Sequence, residues 1–494
     1  MPTMFCGIDV GTQGARCVMV RDDGAVAGHA ERPFAGESAP LPEGWFEQEP
    51  GSWTTAVTAA VRSAAARLDA SEPCLEHAAA IGVTSTSGTL CALDAGRRPL
   101  IPAIMYNDAR SRAQAEEVQH AAAELVARMG YRFGSSFALP KMLWLKRKRP
   151  EVYQEADLFL SPTDYVIGWL TGQYERSDQT NVLKWGYDLV HDHWPSFIED
   201  ALGISRDLLP RVQTPGELAG RLTTERAAEL GLPAGIPVAA GMTDGCASQL
   251  AAGAVRPGQY NTTLGTTMVV KGVSERLLLD PLGRLYCHRH PEGWWLPGGA
   301  SNTGAECLAA EFGPAETAER GARALAVSPT ALVAYPLVGK GERFPFAAPQ
   351  AEGFLLGEPR GRDELFAAYL EGVACLERLA YETLQDLGAD VGDVVLSSGG
   401  GARSDAWLQI RADTLGKAVM ATAGGPAAGA AMGAAILAAA LVQYGSVVAA
   451  ADAMVSIERE FQPRPALAAA YARKYEQFTA ECRRRAYLPP SGPG

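Results

Sequence analysis

The chain has 494 residues, 47% hydrophobic and 20% charged, too many for one ordinary core, so two or three domains are expected. Its net charge of −12 excludes a general binder of nucleic acid or of anionic membrane, while leaving room for a local basic pocket. Nine dispersed cysteines without a C-x-x-C pair read as reduced thiols; with no leader-like cleavage pattern before the first strand, the expected location is the cytoplasm.

FCGIDV and ARCVMVRD read as two strands around a tight turn, with GAVAGHAE as a third. GWFEQEPGSW (44–53) precedes an alanine-rich helical pattern, and AAIGVTSTSGTLCALD (79–94) is strand-like, with Ser, Thr and Gly at its centre. KMLWLKRKRPEVYQEA reads as helix until Pro150, and its basic run as a solvated helix end. LSPTDYVIGWLTG (160–172) reads as a helix that Thr163 or Asp164 can cap and Gly172 can end. After the buried-strand pattern IPVAAG, TDG leads into the helix CASQLAAGA.

The opening pattern then recurs. GQYNTTLGTTMVVKG (258–272) is again strand, Gly-Thr turn, strand, which suggests an internal duplication and a domain boundary near residue 255. The expected division is 1–254 and 255–494. In the second half, 363–388 repeats apolar residues at helical spacing from Phe366 to Leu387. Residues 391–416 give strand, glycine loop and helix, with Ser404 as N-cap and Gly416 at the C-terminus. The uncharged stretch 424–442 is long enough to span a bilayer but rich in Ala and Gly, so it reads as a buried helix that packs through small residues.

Three glycine-bearing turns suit a phosphorylated ligand. At a hairpin tip, glycine permits close approach and positive φ, and hydroxyls and N–H groups can face an anion. An acid beside such a tip can hold Mg²⁺. Asp9 with Gly11, Thr12, Gly14 and Arg16, and Gly265, Thr266 and Thr267 in the second half, therefore suit a Mg-triphosphate; ordinary β-turns are the alternative. Gly399, Gly400 and Gly401 before the Ser404-capped helix suit a nucleotide, although the loop is neither a P-loop nor a dinucleotide fingerprint. Asp244, between strand and helix, is either a plain N-cap or a general base facing a substrate hydroxyl. Cys287, His288 and His290 crowd together without a partner pair and read as core rather than metal ligands. No G-x-S-x-G elbow supports a hydrolase.

In order along the chain, GWFEQEP, MYNDARS (105–111), FALPKMLWL (137–145), TDYVIGWLTG, GMTDG and above all GGGARSDAWLQIRADTLGKAV (399–419) resemble the FGGY family of carbohydrate kinases. The resemblance implies an α/β fold: two ribonuclease-H-like, actin-like ATPase domains flanking a catalytic cleft. It implies ATP and Mg²⁺, a sugar held mostly by the N-terminal domain, and a possible homodimer. Asp244 would be the base, Asp9 and Asp244 metal ligands, and Ser87, Gly88, Asp9 and Asp244 the sugar contacts. Thr12 would serve phosphate, Thr266 would meet the γ-phosphate, and Gly400, Gly401 and their neighbours would hold adenosine. Thr86-Ser87-Gly88 stands where xylulokinases carry a Met-His-Gly-like sequence. With NVLKWGYD (181–188), GGASNTG (298–304) and KGERFPF (340–346), it is similar to the D-ribulose kinases. The expected acceptor is therefore D-ribulose at its C5 hydroxyl, with D-xylulose or another sugar or polyol as the alternative. A non-catalytic sensor or filament subunit of the same fold is the contrasting class. Tyr106 replaces the family's usual Trp, and the family's acid near residue 429 is absent.

Overall fold

The computed structural model describes residues 3–35, 40–68, 77–423 and 425–489. It contains two compact units. The first comprises residues 1–251, 288–294 and 427–455; the second comprises 252–287, 295–426 and 456–494. Segment 427–455, which the sequence division placed with the second half, belongs to the first unit.

The first unit is built on a seven-stranded sheet. β1 (Met4–Val10) is central, and its hairpin partner β2 (Gly14–Arg21) continues to β3 (Val26–Pro33). On its other side β1 pairs in parallel with β4 (Ala78–Ser85). Beyond β4 lie β6 (Pro237–Ala239) and then β5 (Leu218–Arg221), while β7 (Met242–Thr243) also runs parallel to β4. β1 is buried throughout, which explains why it is apolar except at Asp9. Helix Pro50–Ala65 lies against β2 and β3 through fully buried Trp53, Val57, Ala60, Val61 and Ala64.

The second unit repeats this order. β8 (Tyr260–Leu264) and β9 (Met268–Gly272) form the hairpin, β11 (Trp295–Ala300) and β10 (Leu285–Arg289) extend it, and β12 (Val394–Ser398) pairs in parallel with β8. β13 (Ala418–Thr422) follows in parallel, and β14 (Ile457–Phe461) closes the sheet antiparallel. Each sheet thus contains three antiparallel strands, two parallel ones and an antiparallel edge in the same sequence, which gives the Gly-Thr repeat a structural basis.

The helix ends follow local chemistry, with one correction. Helix Pro162–Thr171 is capped by Ser161, not by Thr163 or Asp164. Pro162 fills the first helical position, and Asp164 accepts from the Ser161 N–H at 3.0 Å, completing a capping box. Gly172, Ser404 and Gly416 end or cap their helices as expected.

The stretch 424–442 forms helix Gly425–Ala439, broken at Gly429, followed by a wider turn over Ala440–Tyr444; Gly424 lies outside the described residues. Ala431 to Ala439 are buried against the first sheet. A Cβ on Gly7 would lie 1.9 Å from the Ala431 carbonyl oxygen, and one on Gly82 1.9 Å from that of Ala434, so the backbones touch where side chains are missing. Among the described residues no single helix is long and apolar enough to cross a membrane.

Candidate active site

β1, β4 and β7 are neighbours in parallel and end together: Asp9 lies opposite Thr84, and Thr243 opposite Ser85. Asp9, the turn Thr86-Ser87-Gly88 and Asp244 therefore gather at one edge of the first sheet, the edge where parallel α/β sheets bind ligands.

Asp9 is 5% exposed. Its Oδ2 accepts from Arg16 Nη1 at 3.1 Å across the hairpin, while its Oδ1 is buried and has no hydrogen-bond partner among the described residues. Burial, then the charge of Asp244, push its pKa up to about 7, although Arg16 pulls the other way. A buried, unpartnered carboxylate oxygen that is held close to protonation fits a hard cation such as Mg²⁺, which prefers oxygen ligands. Arg16 is committed to Asp9 and to Glu31.

The hairpin glycines act through close approach, not through positive φ: Gly11 and Gly14 are not among the positive-φ residues. A Cβ on Gly14 would lie 2.3 Å from the Arg32 oxygen. Thr12 is exposed at the tip, its hydroxyl 3.3 Å from the Tyr106 hydroxyl. Gln48 donates to the Thr12 carbonyl at 2.6 Å. Asp108, fully buried, accepts the Phe46 N–H at 2.7 Å and holds Arg110, which pairs with Glu47 and lies 3.7 Å over the Trp45 ring. The GWFEQEP and MYNDARS stretches are thus one wall beside the first hairpin, with Tyr106 as its link to Thr12.

Asp244 opens helix Asp244–Ala251, and its Oδ1 accepts the Gly245 N–H at 2.6 Å. The peptide before it is held by residues the sequence did not single out. Thr180 Oγ1 accepts the Thr243 N–H at 2.9 Å and donates to Asp178 Oδ1 at 2.6 Å. Asp178 also accepts from the backbone and side-chain N–H groups of Asn181.

Within 84–89 the hydroxyls divide by task. Thr84 donates to the Met242 carbonyl at 2.7 Å, and Ser85 lies 2.6 Å from Thr163 Oγ1. Thr89 accepts the Tyr106 N–H. Ser87 is half-buried and makes no hydrogen bond among the described residues. Gly88 has φ +85°, and a Cβ there would lie 2.2 Å from the Ser136 oxygen, so its glycine is required by the turn itself.

In the second unit, Gly265 N–H bonds to the Thr267 oxygen at 3.0 Å, and the carbonyls of Gly265 and Thr266 accept from Ala305 and Glu306. The hydroxyls of Thr266 and Thr267 make no hydrogen bond among the described residues. Gly399 (φ +83°) and Gly401 pack on Leu264 at the end of β8, where Cβ atoms would come within 2.6 and 2.7 Å, whereas Gly400 is exposed and a Cβ there would meet nothing closer than 3.9 Å. Ser404 Oγ is occupied as the cap of helix Asp405–Leu415. The signature's Arg411 is fully buried and bidentate to Glu377 at 2.7 Å. Ser301, the Asn302 N–H, Thr303 and Tyr335 all converge on the buried carboxylate of Glu342.

His288 and His290 are buried and belong to no metal-like grouping among the described residues. The grouping that does occur is Asp188, His191 and His193, whose donor atoms lie within 4.8 Å of one another. Arg128, His191 and two backbone N–H groups already occupy the Asp188 carboxylate.

Two family models match the chain: the N-terminal domain of the FGGY family of carbohydrate kinases over residues 4–251, and the C-terminal domain over 260–442. The chain is 31% identical to the xylulose kinase of Escherichia coli (strain K12) over 453 residues, 88% of this chain and 89% of that one. Its fold superposes with a TM-score of 0.87 on a crystal structure described as a xyloylose kinase from Brucella ovis, at 27% identity and covering 98% and 99% of the two chains. A xylulose kinase structure from Rhodospirillum rubrum gives 0.85 at 29% identity, covering 97% and 98%. Two repeated sheets of ribonuclease-H-like order, of the actin-like ATPase kind, with acids at the strand ends of one and glycine turns on the other, define a phosphotransferase. The chain belongs to the FGGY family of carbohydrate kinases and is a sugar kinase.

Proposed function

We propose that the chain is an ATP-dependent ketopentose kinase, and that D-xylulose is its preferred acceptor. The named relatives support that acceptor. The observation that carries the chemistry is the meeting of Asp9, Ser87 and Asp244 at the ends of three neighbouring strands. Asp244 accepts the proton of the attacking sugar hydroxyl, late in a loose transition state, so orientation of the hydroxyl matters more than basicity. Ser87 offers a hydroxyl to the sugar. Thr12, Thr266 and Thr267 present hydroxyls to phosphate, and Gly400 leaves backbone open beside the nucleotide. Asp9, with Asp244 nearby, would hold Mg²⁺, which would supply charge neutralisation for the phosphates when bound.

D-Ribulose is the second reading, and it rests on Thr86-Ser87-Gly88. Two stretches that favoured it, 298–304 and 340–346, meet at the Glu342 knot; the turn and the stretch 181–188 remain as its support. The test is ADP release with Mg-ATP and D-xylulose, D-ribulose, L-ribulose, ribitol and glycerol. A D-xylulose-selective signal is expected. D-ribulose selectivity would reverse the acceptor and keep the kinase; silence with all five, while ATP still binds, would overturn the proposal.

A further inference from the structure

Lys184 lies in the short 3₁₀ turn Val182–Trp185 and is only 8% exposed. Its ammonium makes no hydrogen bond and no ion pair among the described residues; its contact is the ring of Phe137, 5.9 Å from Nζ to centroid. The side chain runs along the turn that follows β4: its Cδ is 3.0 Å from where a Cβ on Gly88 would stand, next to Ser87.

A second lysine lies close by, with Asp108 and Arg110 also acting on it. Lys141 is fully buried, and its Nζ donates to the carbonyls of Ser135 and Phe137 at 2.6 and 3.1 Å. Burial, then the charge of Lys184, hold its pKa well below the usual lysine value. Arg110 is spoken for by Asp108 and Glu47. Lys184 Nζ is not among the buried polar atoms that lack a partner, so the ammonium keeps contact with solvent while the rest of the side chain is buried. The side chain that carries this donor passes the turn of Ser87 and Gly88.

We propose that Lys184 is a specificity-determining residue of the acceptor site, which donates a hydrogen bond to an oxygen of the bound sugar and favours ketoses over the corresponding polyols. An ammonium only donates, and a carbonyl oxygen only accepts, so that pair is always matched. A polyol hydroxyl must first turn its own proton elsewhere. The inference rests on the ketopentose reading above.

The experiment compares wild type, Lys184→Met and Lys184→Arg with D-xylulose and D-ribulose as substrates, and with xylitol and ribitol as substrates or as competitive inhibitors. Lys184→Met is expected to raise the KM for the ketose at least tenfold, to raise the polyol constants less, and to leave the KM for ATP unchanged. Lys184→Arg, which keeps the charge, should recover part of the loss. Because the ammonium bonds no group of the chain among the described residues and keeps contact with solvent, the variant should melt at the same temperature as wild type, unlike a variant of a structural lysine. Equal losses on ketose and polyol, an unchanged ketose KM, a raised KM for ATP or a lowered melting temperature would each overturn the inference. A wild type silent on both ketoses would overturn the ketopentose reading and this inference with it; an active wild type with an unaffected variant overturns this inference alone.

Discussion

Thr180 Oγ1 accepts the Thr243 N–H at 2.9 Å, and through that bond a residue 63 positions earlier fixes the peptide that carries Asp244. Asp178 holds the same hydroxyl from behind. Thr180→Val keeps the shape and removes both bonds, leaving a buried N–H unpaired at a cost of about 1–3 kcal/mol. Since the donor turn is untouched, the expected outcome is a kcat lowered by on the order of tenfold, with the KM for ATP unchanged. Steady-state kinetics checks this; Thr180→Ser, which retains the hydroxyl, should recover most of the rate.

Asp244→Asn retains the size of the side chain and removes the proposed proton acceptor. General-base contributions are typically on the order of 10² to 10⁴ in rate, so transfer should fall by that much. Binding of ATP should persist, because the glycine turns of the second unit are intact. Single-turnover transfer and equilibrium nucleotide binding, measured on the same preparation, separate the two; retained turnover would remove Asp244 from the role of base.

What sequence made legible was local. The Gly-Thr tips, the Ser404 cap and the glycines at 172 and 416 each depend on a few neighbouring residues, and each lies where the pattern put it. The Ser161 cap was missed by a few positions because Pro162 and Asp164, not the hydroxyl of Thr163, decide where that helix starts. Long-range relations were not legible. Nothing local in SDQTN (177–181) signals that the fold brings Thr180 under Thr243. GGASNTG and KGERFPF carry a resemblance to the D-ribulose kinases, but nothing in either stretch signals that the fold gathers both at Glu342. The return of 427–455 to the first unit left only an indirect trace, small residues wherever backbones meet.

Asp9 predicts a pH dependence. Its pKa is raised from 3.8 to about 7, first by burial and then by Asp244, so the folded chain binds its proton more tightly than the unfolded chain does. Stability conferred by the protonated form is therefore full below the ordinary value and is lost as pH rises to about 7, by up to about 4 kcal/mol. In the presence of a chelator, urea midpoints should fall across that window, and Asp9→Asn should flatten the fall. Added Mg²⁺ should recover stability above pH 7 in wild type but not in the variant. An identical slope in both proteins would place the titration elsewhere.

The helix Gly425–Ala439 meets the helix that begins with Asp244 at Gly433, where a Cβ would lie 2.0 Å from the Ala247 oxygen. That contact is with backbone, which cannot swing aside as a side chain can. Gly433→Ala should therefore force the two helices apart, at a cost of about 1–3 kcal/mol from overpacking. A Cβ on Gly51, near the start of helix Pro50–Ala65, would meet no atom within 4 Å, so Gly51→Ala is the matched control and should gain up to about 1 kcal/mol. Because the displaced helix carries Asp244, Gly433→Ala is also expected to lower kcat at temperatures well below its melting point, while Gly51→Ala leaves it unchanged. Denaturation and kcat measured together decide the point: lost stability with full kcat would mean that the contact holds the fold without setting the position of the base.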